Sequence, residues 1–357
     1  MAGTFKIATF NCQNLFGRLK VLNRVNKKVG DDKMAKIELL DTELKRPVYD
    51  EPKIISLYKE VADYIEINEV RKKLFKTKGV SLRAKGVQEW DGFIDFKPDK
   101  FTDVTRKNTA RVINTVNANI ICLVEVEDKR TLDLFNTDLI DKPYEFSMLI
   151  DAYDMRRIDV SLLSRFPLED IRTHMFEKKG KSRIFSRDCL EVKIKLAEKD
   201  FIYLYINHFK SQGYGTPQQN DAKRLAQTQR VAEIIKERGL NLQKEKVAVL
   251  GDFNASPDNP SLAPLLNLNG LKDVLALKIG DPKKRWTYYS GRRQQIDFIL
   301  ISQPLQDKLV GCGIERQGIF NLHKCSLENE KAWDDVQNNG AWAQASDHGA
   351  VWAEFNN

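Results

Sequence analysis

Hydrophobic and polar residues alternate in short runs along this chain, and the runs predict strands over most of its length. Residues 190–196 place leucine, valine and isoleucine at every second position with charged residues between them, which is typical of a half-solvated strand. Continuous apolar runs such as residues 247–250 instead indicate strands covered on both faces. The expected strands are TFKIATFN, NIICLVEV, IDVSLLSR, CLEVKIKL, FIYLYINH, KVAVLGDF, QQIDFILIS and GAVWAEF.

Helical periodicity appears between some of these strands. Thr109, Val112, Ile113 and Val116 follow the i, i+3, i+4, i+7 spacing just before the strand at Ile120. The segment NDAKRLAQTQRVAEIIKERG predicts a second helix that ends at a glycine. Strands with helices between them predict an α/β layered fold, and a two-sheet sandwich with helices on its outer faces fits the pattern best.

One region differs in charge and in periodicity from the rest of the chain. Between Arg18 and Lys107 there are 22 Lys and Arg against 16 Asp and Glu, so this stretch carries +6 of the net +8. Its segment EPKIISLYKEVADYIEINEV has apolar residues at helical spacing as far as Ile65. We therefore expect a single domain over residues 1–357, with a basic, mainly helical insertion at about 18–101.

Composition sets broad limits on the class of protein. With 357 residues and 42% hydrophobic residues the chain can bury a large core, and its charge of +8 favours an anionic partner such as nucleic acid. The five cysteines are widely spread without a metal-binding pair, which favours reduced structural thiols. The first residues do not resemble a signal peptide and no apolar segment is long enough to span a membrane, so we expect a cytoplasmic protein without membrane contact.

Polar residues recur where the predicted apolar strands begin or end. Singly, each is more often a turn former, a helix cap or a buried core histidine than a ligand. Together they would converge only if the strand ends meet, and burying them without partners would be costly. The set consists of Asn11, Glu125, His208, Asp252, Asn254, Asp297, Asp347 and His348.

These residue types suit the chemistry of a metal and a phosphate. Carboxylate and amide oxygens are hard ligands for Mg²⁺, and Mn²⁺ is an alternative. Asp252 and Asn254 are two positions apart, so in extended geometry their side chains would face the same side. A histidine can donate to a phosphoryl oxygen or transfer a proton, and an acid such as Asp297 could fix its tautomer.

The ordered motifs TFNCQNLF, LVEVED, INHFKSQG, LGDFNASPDNPSL, QQIDFILIS and ASDHGAVWAEF resemble the endonuclease/exonuclease/phosphatase superfamily, whose fold is DNase I-like. The segments VEVED and NHFKS are most similar to the motifs of the bacterial nuclease-type members. The resemblance covers residues 5–16 and about 102–355, and it leaves out residues 18–101. It implies a four-layer α/β sandwich, in which two mainly antiparallel sheets pack face to face with helices outside, and metal-dependent hydrolysis of a phosphodiester.

The resemblance also implies roles for the residues that match its motifs. Glu125 would be the main metal ligand, with Asn11 nearby and Asp347 helping to hold the metal. Asp252 and Asn254 would position the attacking water and the phosphate.

The two histidines would act on the phosphate itself. His348, paired with Asp297, would be a base or a phosphate binder, and His208 would stabilise the pentavalent phosphorane and protonate the leaving oxygen. Related proteins place a group that orients the first histidine at Asp159, for which a solvent-facing strand acid is the alternative. Arg187 stands where the family often has a phosphate-binding arginine, with an ordinary surface charge as the alternative.

The substrate is less constrained than the reaction, because members of the superfamily cleave DNA, RNA, phosphoinositides and sphingomyelin with a nearly shared core. The basic charge favours a nuclease without strong sequence specificity. The basic run VRKKLFKTKGVSLRAKG, residues 70–86, could contact nucleic acid or be a solvated helix face or loop. Two alternatives stay open: a phosphatase or phosphodiesterase for a lipid or small ester, and an inactive nucleic-acid-binding relative. The sequence also leaves open whether cleavage is endo or exo, which protein partners bind, and what the oligomeric state is.

Overall fold

The structure is a computed structural model that describes residues 3–22, 27–99, 101, 103–320 and 322–357. Its strands are β1 Thr4–Leu15, β2 Ile65–Glu69, β3 Phe75–Thr77, β4 Ser81–Leu82, β5 Gly92–Phe96, β6 Ile120–Val126, β7 Phe146–Leu149, β8 Asp159–Ser164, β9 Leu168–Arg172, β10 Lys178–Lys179, β11 Ser182–Arg183, β12 Cys189–Ala197, β13 Asp200–His208, β14 Lys246–Asp252, β15 Lys272–Asp273, β16 Tyr288–Tyr289, β17 Arg293–Gln294, β18 Asp297–Ile301, β19 Leu309–Glu315 and β20 Ala350–Asn356.

Helices lie between these strands. The α-helices are α1 Lys27–Leu44, α2 Glu51–Val61, α3 Val104–Val116, α4 Lys129–Leu139, α5 Pro217–Glu237, α6 Ala263–Leu266, α7 Val274–Lys278, α8 Gln303–Gln306, α9 Leu322–Cys325 and α10 Asp334–Asn339. Short 3₁₀ helices cover Val87–Glu89, Pro260–Leu262, Pro282–Arg285 and Ala341–Ala343. The chain divides into two compact units, one formed by Met1–Phe16 with Phe101–Asn357 and the other by Gly17–Lys100.

Two six-stranded sheets form the larger unit. The first has the strand order β19-β20-β1-β6-β8-β7, and the second has the order β15-β18-β14-β13-β12-β9. Each sheet has one parallel pair, β1 with β6 and β13 with β14, and its other neighbours are antiparallel. Because parallel neighbours end at the same edge, residues at the ends of β1 and β6 come together, as do those of β13 and β14.

The two sheets pack face to face and helices cover their outer faces. The inner layer combines side chains of both sheets, including Phe5, Cys122, Val160, Val192, Leu204 and Ile299. Each fully buried aliphatic or aromatic side chain there contributes roughly 1.5–3 kcal/mol. On the outside, Ile113 of α3 and Phe135 of α4 pack on the first sheet, while Ile234 of α5 packs on the second. The predicted four-layer α/β sandwich is therefore confirmed.

Local sequence signals fix the ends of the main helices. Helix α5 begins with a capping box, in which the Thr216 side chain accepts from the Gln219 backbone and the Gln219 side chain accepts from the Thr216 backbone, with Pro217 in the first turn. The carboxylates of Asp103 and Asp128 cap α3 and α4 by accepting from Arg106 N and Thr131 N. These caps satisfy backbone N–H groups of the first turn and so fix where α3, α4 and α5 begin.

The strands and outer helices predicted from periodicity are all present. Strands β7, β9, β15 and β19 of the two large sheets, and the short pairs β10–β11 and β16–β17, were not anticipated. Residues 168–172 are half-exposed at the edge of a sheet, and residues 309–315 contain two glycines, so neither segment shows a clear apolar alternation. The helix expected to continue to Ile65 ends at Val61, and Ile65 begins β2.

The smaller unit has its own core. Helices α1 and α2 and the antiparallel pairs β2–β5 and β3–β4 enclose Val21, Leu40, Ile54 and Leu74. The expectation of a mainly helical segment therefore missed four short strands. Residues 70–86 include the β3–β4 hairpin rather than a helix face, and Phe75 is buried in this core, so its ring cannot stack on a base.

Two expectations concern cysteines and membranes. All five cysteines are free thiols, and four of them are buried. In the part of the chain that the structure describes, no helix combines the length and the apolar character needed to cross a membrane.

Candidate functional site

A pocket of about 480 Å³ lies at the ends of β1, β6, β13 and β14. Most of the residues that the sequence singled out line it, namely Asn11, Glu125, Arg187, His208, Asp252, Asn254, Asp347 and His348. Asp297 does not line the pocket but hydrogen-bonds His348 from behind. Asp159 is the remaining predicted residue, and it does not line the pocket.

Gly251 sets the end of β14. It pairs with Asn207 of the parallel strand β13, its φ is +130°, and a Cβ at this position would lie 1.9 Å from the Asn207 carbonyl oxygen. Only glycine fits such a close approach of two backbones at a positive φ. The next residue, Asp252, therefore lies at the pocket, directly opposite His208 of the neighbouring strand.

Replacing Gly251 with alanine is expected to destabilise the protein by about 3 kcal/mol or more, because the backbone of β13 or β14 has to move. Urea unfolding measures this change. Gly280 is the matched control, since a Cβ there meets nothing within 4 Å, and Gly280→Ala should stay within about 0.5 kcal/mol of wild type. Equal stabilities for the two variants would contradict the assigned role of Gly251.

Asp252 is the centre of the hydrogen-bond network. Its Oδ2 accepts from the side-chain amides of Asn11 at 3.0 Å and Asn254 at 3.1 Å, and its Oδ1 accepts from the Asn254 backbone at 2.8 Å. His208 Nε2 lies 3.5 Å from Oδ2. Burial, followed by the charge of Asp297, raises the pKa of the Asp252 carboxyl above its usual range. This carboxylate accepts several hydrogen bonds, yet burial makes its ionisation costly. A nearby cation would therefore stabilise its ionised form.

The geometry of Asn254 differs from the extended geometry that the spacing suggested. Strand β14 ends at Asp252, and Asn254 has a φ of +54°. The Asp252 side chain bonds the backbone two residues on, which closes a turn that asparagine tolerates. The two side chains do meet, because of this left-handed turn and not because of strand alternation.

His348 is held from behind by a buried acid. Its Nδ1 hydrogen-bonds Asp297 Oδ2 at 2.8 Å, and Asp297 Oδ2 also accepts from Thr287 Oγ1 at 2.6 Å. Thr287 Oγ1 in turn accepts from the backbone of Ile296 and Asp297. This network fixes the ring, so Nε2 is the nitrogen left for the pocket.

The two histidines have opposite electrostatics. Burial alone would lower the pKa of His348, but the neighbouring Asp297 carboxylate, with Asp252 and Asp347, raises it well above its ordinary value. Burial, followed by the charges of Arg187 and His348, lowers the pKa of His208 well below its ordinary value. One imidazole is therefore cationic and the other neutral near pH 7.

Glu125 sits on a strained bulge. The registers of β1 with β6 and of β6 with β8 both shift around it, and the φ angles of Gln13, Asn14 and Glu125 are +47°, +67° and +64°. Such conformations cost of order 1–3 kcal/mol each and persist only where surrounding contacts enforce them. Here Asn14 N donates to Glu125 Oε2 at 3.1 Å. The bulge turns the carboxylate into the pocket, with Oε1 at 3.8 Å from His208 Nε2.

The pocket fits a hard divalent cation. Glu125, Asp252 and Asp347 contribute three carboxylates, and among the described residues the salt bridges to them come from imidazoles alone. Uncompensated carboxylates in a shared pocket are the usual ligands of Mg²⁺ or Mn²⁺. Ligand atoms of Asp252, Asp297 and His348 also lie within 4.8 Å of one another. Since His348 and Asp297 are hydrogen-bonded to each other, the residues that could hold the ion are Glu125 and Asp347.

The Asn11 side chain is held by hydrogen bonds within the protein rather than left free to bind a metal ion. Its Nδ2 donates to Asp252, while its Oδ1 accepts from Gln13 N at 2.9 Å. It therefore orients the Asp252 carboxylate and the bulge beside Glu125.

Arg187 is not a surface charge. It is buried, its Nη1 donates to Phe209 O at 2.9 Å, and its Nε lies 3.1 Å from Asp154 Oδ2. Asp154 also binds Arg156 through two hydrogen bonds of 3.0 and 2.7 Å. The shared acid holds both guanidinium groups at the pocket, which both of them line.

Asp159 fits neither of its two interpretations. It is buried and not solvent-facing, and its Oδ1 accepts from Ala152 N at 3.1 Å. The ring atom His208 Nδ1 has no hydrogen-bond partner among the described residues, so Asp159 does not orient that histidine. Burial raises the pKa of Asp159 to about 7.

Several contributors were missed from the sequence. Thr287 and Ser346 are buried hydroxyls in loops, and Ser346 Oγ donates to Asn11 O at 2.7 Å and accepts from His348 N. Neither stands in a periodic segment, so no local pattern marks them. Arg156 and Arg292 also line the pocket, and both lie in loops, where no periodicity marks them.

Comparisons with known proteins agree with this architecture. A model of the endonuclease/exonuclease/phosphatase family matches residues 82–308, more than half of the chain. This range contains Glu125, His208, Asp252 and Asp297, while His348 lies beyond it. A comparison with curated proteins found no match.

Solved structures show similarity of fold. An AP endonuclease from Archaeoglobus fulgidus is 15% identical with a TM-score of 0.50, and the match covers 70% of this chain and 95% of that one. A truncated TDP2 from Caenorhabditis elegans is 20% identical with a TM-score of 0.49, covering 71% and 90%. Beta toxin 275-280 from Staphylococcus aureus is 16% identical with a TM-score of 0.49, covering 70% and 92%. At 15% identity the likeness to the AP endonuclease concerns the fold alone.

Proposed function

Because the chain belongs to the endonuclease/exonuclease/phosphatase family, we propose that it is a metal-dependent phosphodiesterase that cleaves the backbone of DNA or RNA without strong sequence specificity. One observation carries the proposal: three carboxylates, two imidazoles and a buried arginine meet in one pocket. Phosphodiester hydrolysis needs these parts, since the anionic substrate repels nucleophiles until its charge is offset.

The carboxylates divide between two tasks in this mechanism. Glu125 and Asp347 would hold the divalent ion, with Asn11 orienting the neighbouring Asp252. When bound, the ion supplies positive charge that offsets the charge of the phosphate.

Asp252 and Asn254 would prepare the nucleophile. The Asp252 carboxylate accepts a hydrogen bond from the attacking water and takes its proton, which its raised pKa favours. The Asn254 side chain is bonded to Asp252 and to Phe209 O at 3.2 Å, so it is fixed at the side of the phosphate.

The imidazoles and Arg187 would stabilise charge on the phosphoryl oxygens. The raised pKa of His348 supports its phosphate-binding role over the role of base, because Nε2 then carries a proton to donate. The lowered pKa of His208 makes it a neutral hydrogen-bond donor to the phosphorane rather than a charged acid. Arg187 adds a buried positive charge beside it. The leaving oxygen would then take its proton from solvent water as its P–O bond breaks, and Asp252 would return its proton to solvent.

Nucleic acid is favoured as the substrate by charge. The chain carries +8, and Arg156, Arg187 and Arg292 all line the pocket. Backbone phosphates bind such surfaces independently of sequence.

Residues 17–100 are proposed to be an insertion within one catalytic domain. Strand β1 precedes them in the sequence, yet it pairs with β6 and β20, which follow them. The catalytic sheet therefore needs both sides of the segment.

The proposed activity is tested by incubating the protein with supercoiled plasmid, linear duplex, single-stranded DNA and RNA, each with Mg²⁺, Mn²⁺ or EDTA. Metal-dependent cleavage is expected, and it should disappear in Asp252→Ala. Nicked plasmid would identify endonucleolytic cleavage. Hydrolysis of bis-p-nitrophenyl phosphate without cleavage of any nucleic acid would replace the nuclease by a phosphodiesterase for lipids or small esters.

A further inference from the structure

A second cavity continues the catalytic pocket along the surface. It has a volume of about 440 Å³ and shares Arg156, Arg187 and Ser211 with the catalytic pocket. Lys210, Tyr214 and Lys223 also line it. A path bordered by positive charge therefore leads away from the site where the scissile phosphate would bind.

Tyr214 stands exposed at the edge of this path. Its side chain is 83% exposed, its φ is +57°, and the Arg156 guanidinium lies 5.5 Å from its ring centroid. A tyrosine in the left-handed region costs free energy. So little of the ring is buried that packing does not offset this cost.

The loop that carries Tyr214 is fixed by hydrogen bonds. Lys210 Nζ donates to Gly213 O at 2.5 Å and to Ser211 O at 3.2 Å. Asn220 Nδ2, on helix α5, donates to Gln212 O at 2.9 Å. The Tyr214 ring is thus held in a defined position although it does not pack on the protein. This is expected of a side chain that contacts a ligand.

A second aromatic group lies farther along. The Arg183 guanidinium is 3.1 Å from the centroid of Tyr153, and Phe176, which is 63% exposed, lies 6.0 Å from Tyr153 in an edge-to-face arrangement. Lys223 Nζ donates to Arg183 O, which ties this group to the second cavity. The β10–β11 hairpin beside it adds Lys178 and Lys179, both exposed.

We propose that this surface, made of Arg156, Lys210, Tyr214, Arg183, Tyr153 and Phe176, binds a single-stranded nucleic acid next to the scissile phosphate. The proposal rests on the function proposed above and names its substrate class. Cations would contact the phosphates, while the exposed rings of Tyr214 and Phe176 stack on bases, the combination used by single-strand binding surfaces. Stacking requires unpaired bases, so a duplex would use the cations without the rings.

An anionic membrane surface is the competing partner, because basic and aromatic residues also bind lipid interfaces. The observations favour nucleic acid, since the surface is continuous with the pocket for a phosphodiester and its rings lie beside cations, Tyr214 beside Arg156 and Tyr153 beside Arg183. Binding to lipid vesicles is therefore measured beside binding to oligonucleotides.

Binding is measured in EDTA, so that no cleavage occurs. Three ligands are compared by fluorescence anisotropy: a labelled oligothymidylate of 20 nucleotides, a labelled duplex of the same length, and, with labelled protein, phosphatidylcholine/phosphatidylglycerol vesicles. Wild type should bind the single strand more tightly than the duplex. Tyr214→Gly and Phe176→Ala should each weaken single-strand binding by about fivefold to 100-fold. The melting temperature of Tyr214→Gly should be unchanged or higher, because glycine adopts a positive φ without strain.

Phe201→Ala is the matched aromatic control. Phe201 lies near the start of β13, at the opposite end of that strand from His208, with Lys193 Nζ 3.8 Å from its ring. This variant should bind the strand as wild type does.

Equal affinity of wild type, Tyr214→Gly and Phe176→Ala for the single strand would overturn the inference. So would tighter binding of the duplex, or vesicle binding that is lost in these variants while oligonucleotide binding is not. Failure of the proposed function shows separately, as strand binding in EDTA with no cleavage of the same strand by wild type when metal is added.

Discussion

Replacing Asp252 with alanine lowers the rate of phosphodiester hydrolysis by at least 100-fold while the protein stays folded. The side-chain amides of Asn11 and Asn254 donate to this carboxylate at 3.0 and 3.1 Å, and no other acid among the described residues accepts from both amides. Removing one stabilising contact from a transition state costs about 2.7–4 kcal/mol of barrier, which corresponds to this loss. Steady-state kinetics with metal in excess measures it.

Stability should change much less than activity in this variant. The pKa of Asp252 is raised by burial, so its ionised form costs folding free energy, and this offsets the hydrogen bonds lost on truncation. Asp159→Ala is the matched control, because Asp159 is also buried with a raised pKa but lies outside the pocket. Near-normal activity of Asp252→Ala, or equal losses in the two variants, would rule out the assigned role.

Replacing Asp297 with asparagine shifts the alkaline limb of the pH–rate profile to lower pH and reduces the rate at pH 8 by about 10- to 100-fold. The Asp297 charge is what raises the pKa of His348 against the effect of burial. Without it burial dominates, the pKa of His348 falls, and the ring loses its proton at lower pH. Since the protonated ring is the phosphate donor, the deficit in rate relative to wild type at the same pH should shrink as the pH is lowered toward 6.

The comparison variant for this effect is Asp273→Asn. Asp273 lies on β15, which pairs with β18, and it hydrogen-bonds Gln295 outside the pocket. Its replacement should leave the shape of the pH–rate profile unchanged. An alkaline limb that stays in place or moves upward in Asp297→Asn would show that His348 does not act as a protonated phosphate donor.

Much of the fold could be predicted because strand alternation is a local signal. The pattern at Leu190 to Leu196 requires only that one face of a strand be covered, and β12 is found there. The same local reasoning failed at the edge strand β9 and at Ile65, where the helical spacing of α2 continues into a strand. Periodicity cannot tell where one period gives way to another within a few residues.

The candidate site could be predicted in membership but not in geometry. Polar residues at the ends of apolar strands predicted that His208, Asp252 and His348 would converge, and all three line one pocket, while their roles stay predictions. The resemblance to related proteins added Asp159, which lies at the start of β8 but accepts a hydrogen bond from a backbone amide. Thr287, which hydrogen-bonds Asp297, gave no signal, because a buried loop hydroxyl has no period.

The sequence by itself determined eight strands of the two large sheets, the outer helices, and the acids, amides and histidines at the strand ends, because these depend on residue type and short-range spacing. Only the tertiary structure decided which of them touch. Asn11 and Asp252 are 241 positions apart and bond at 3.0 Å, while the left-handed turns at Glu125 and Asn254 aim their side chains. Such contacts arise from the order and register of strands in the sheets, and that order is set by packing of the whole core rather than by any local pattern.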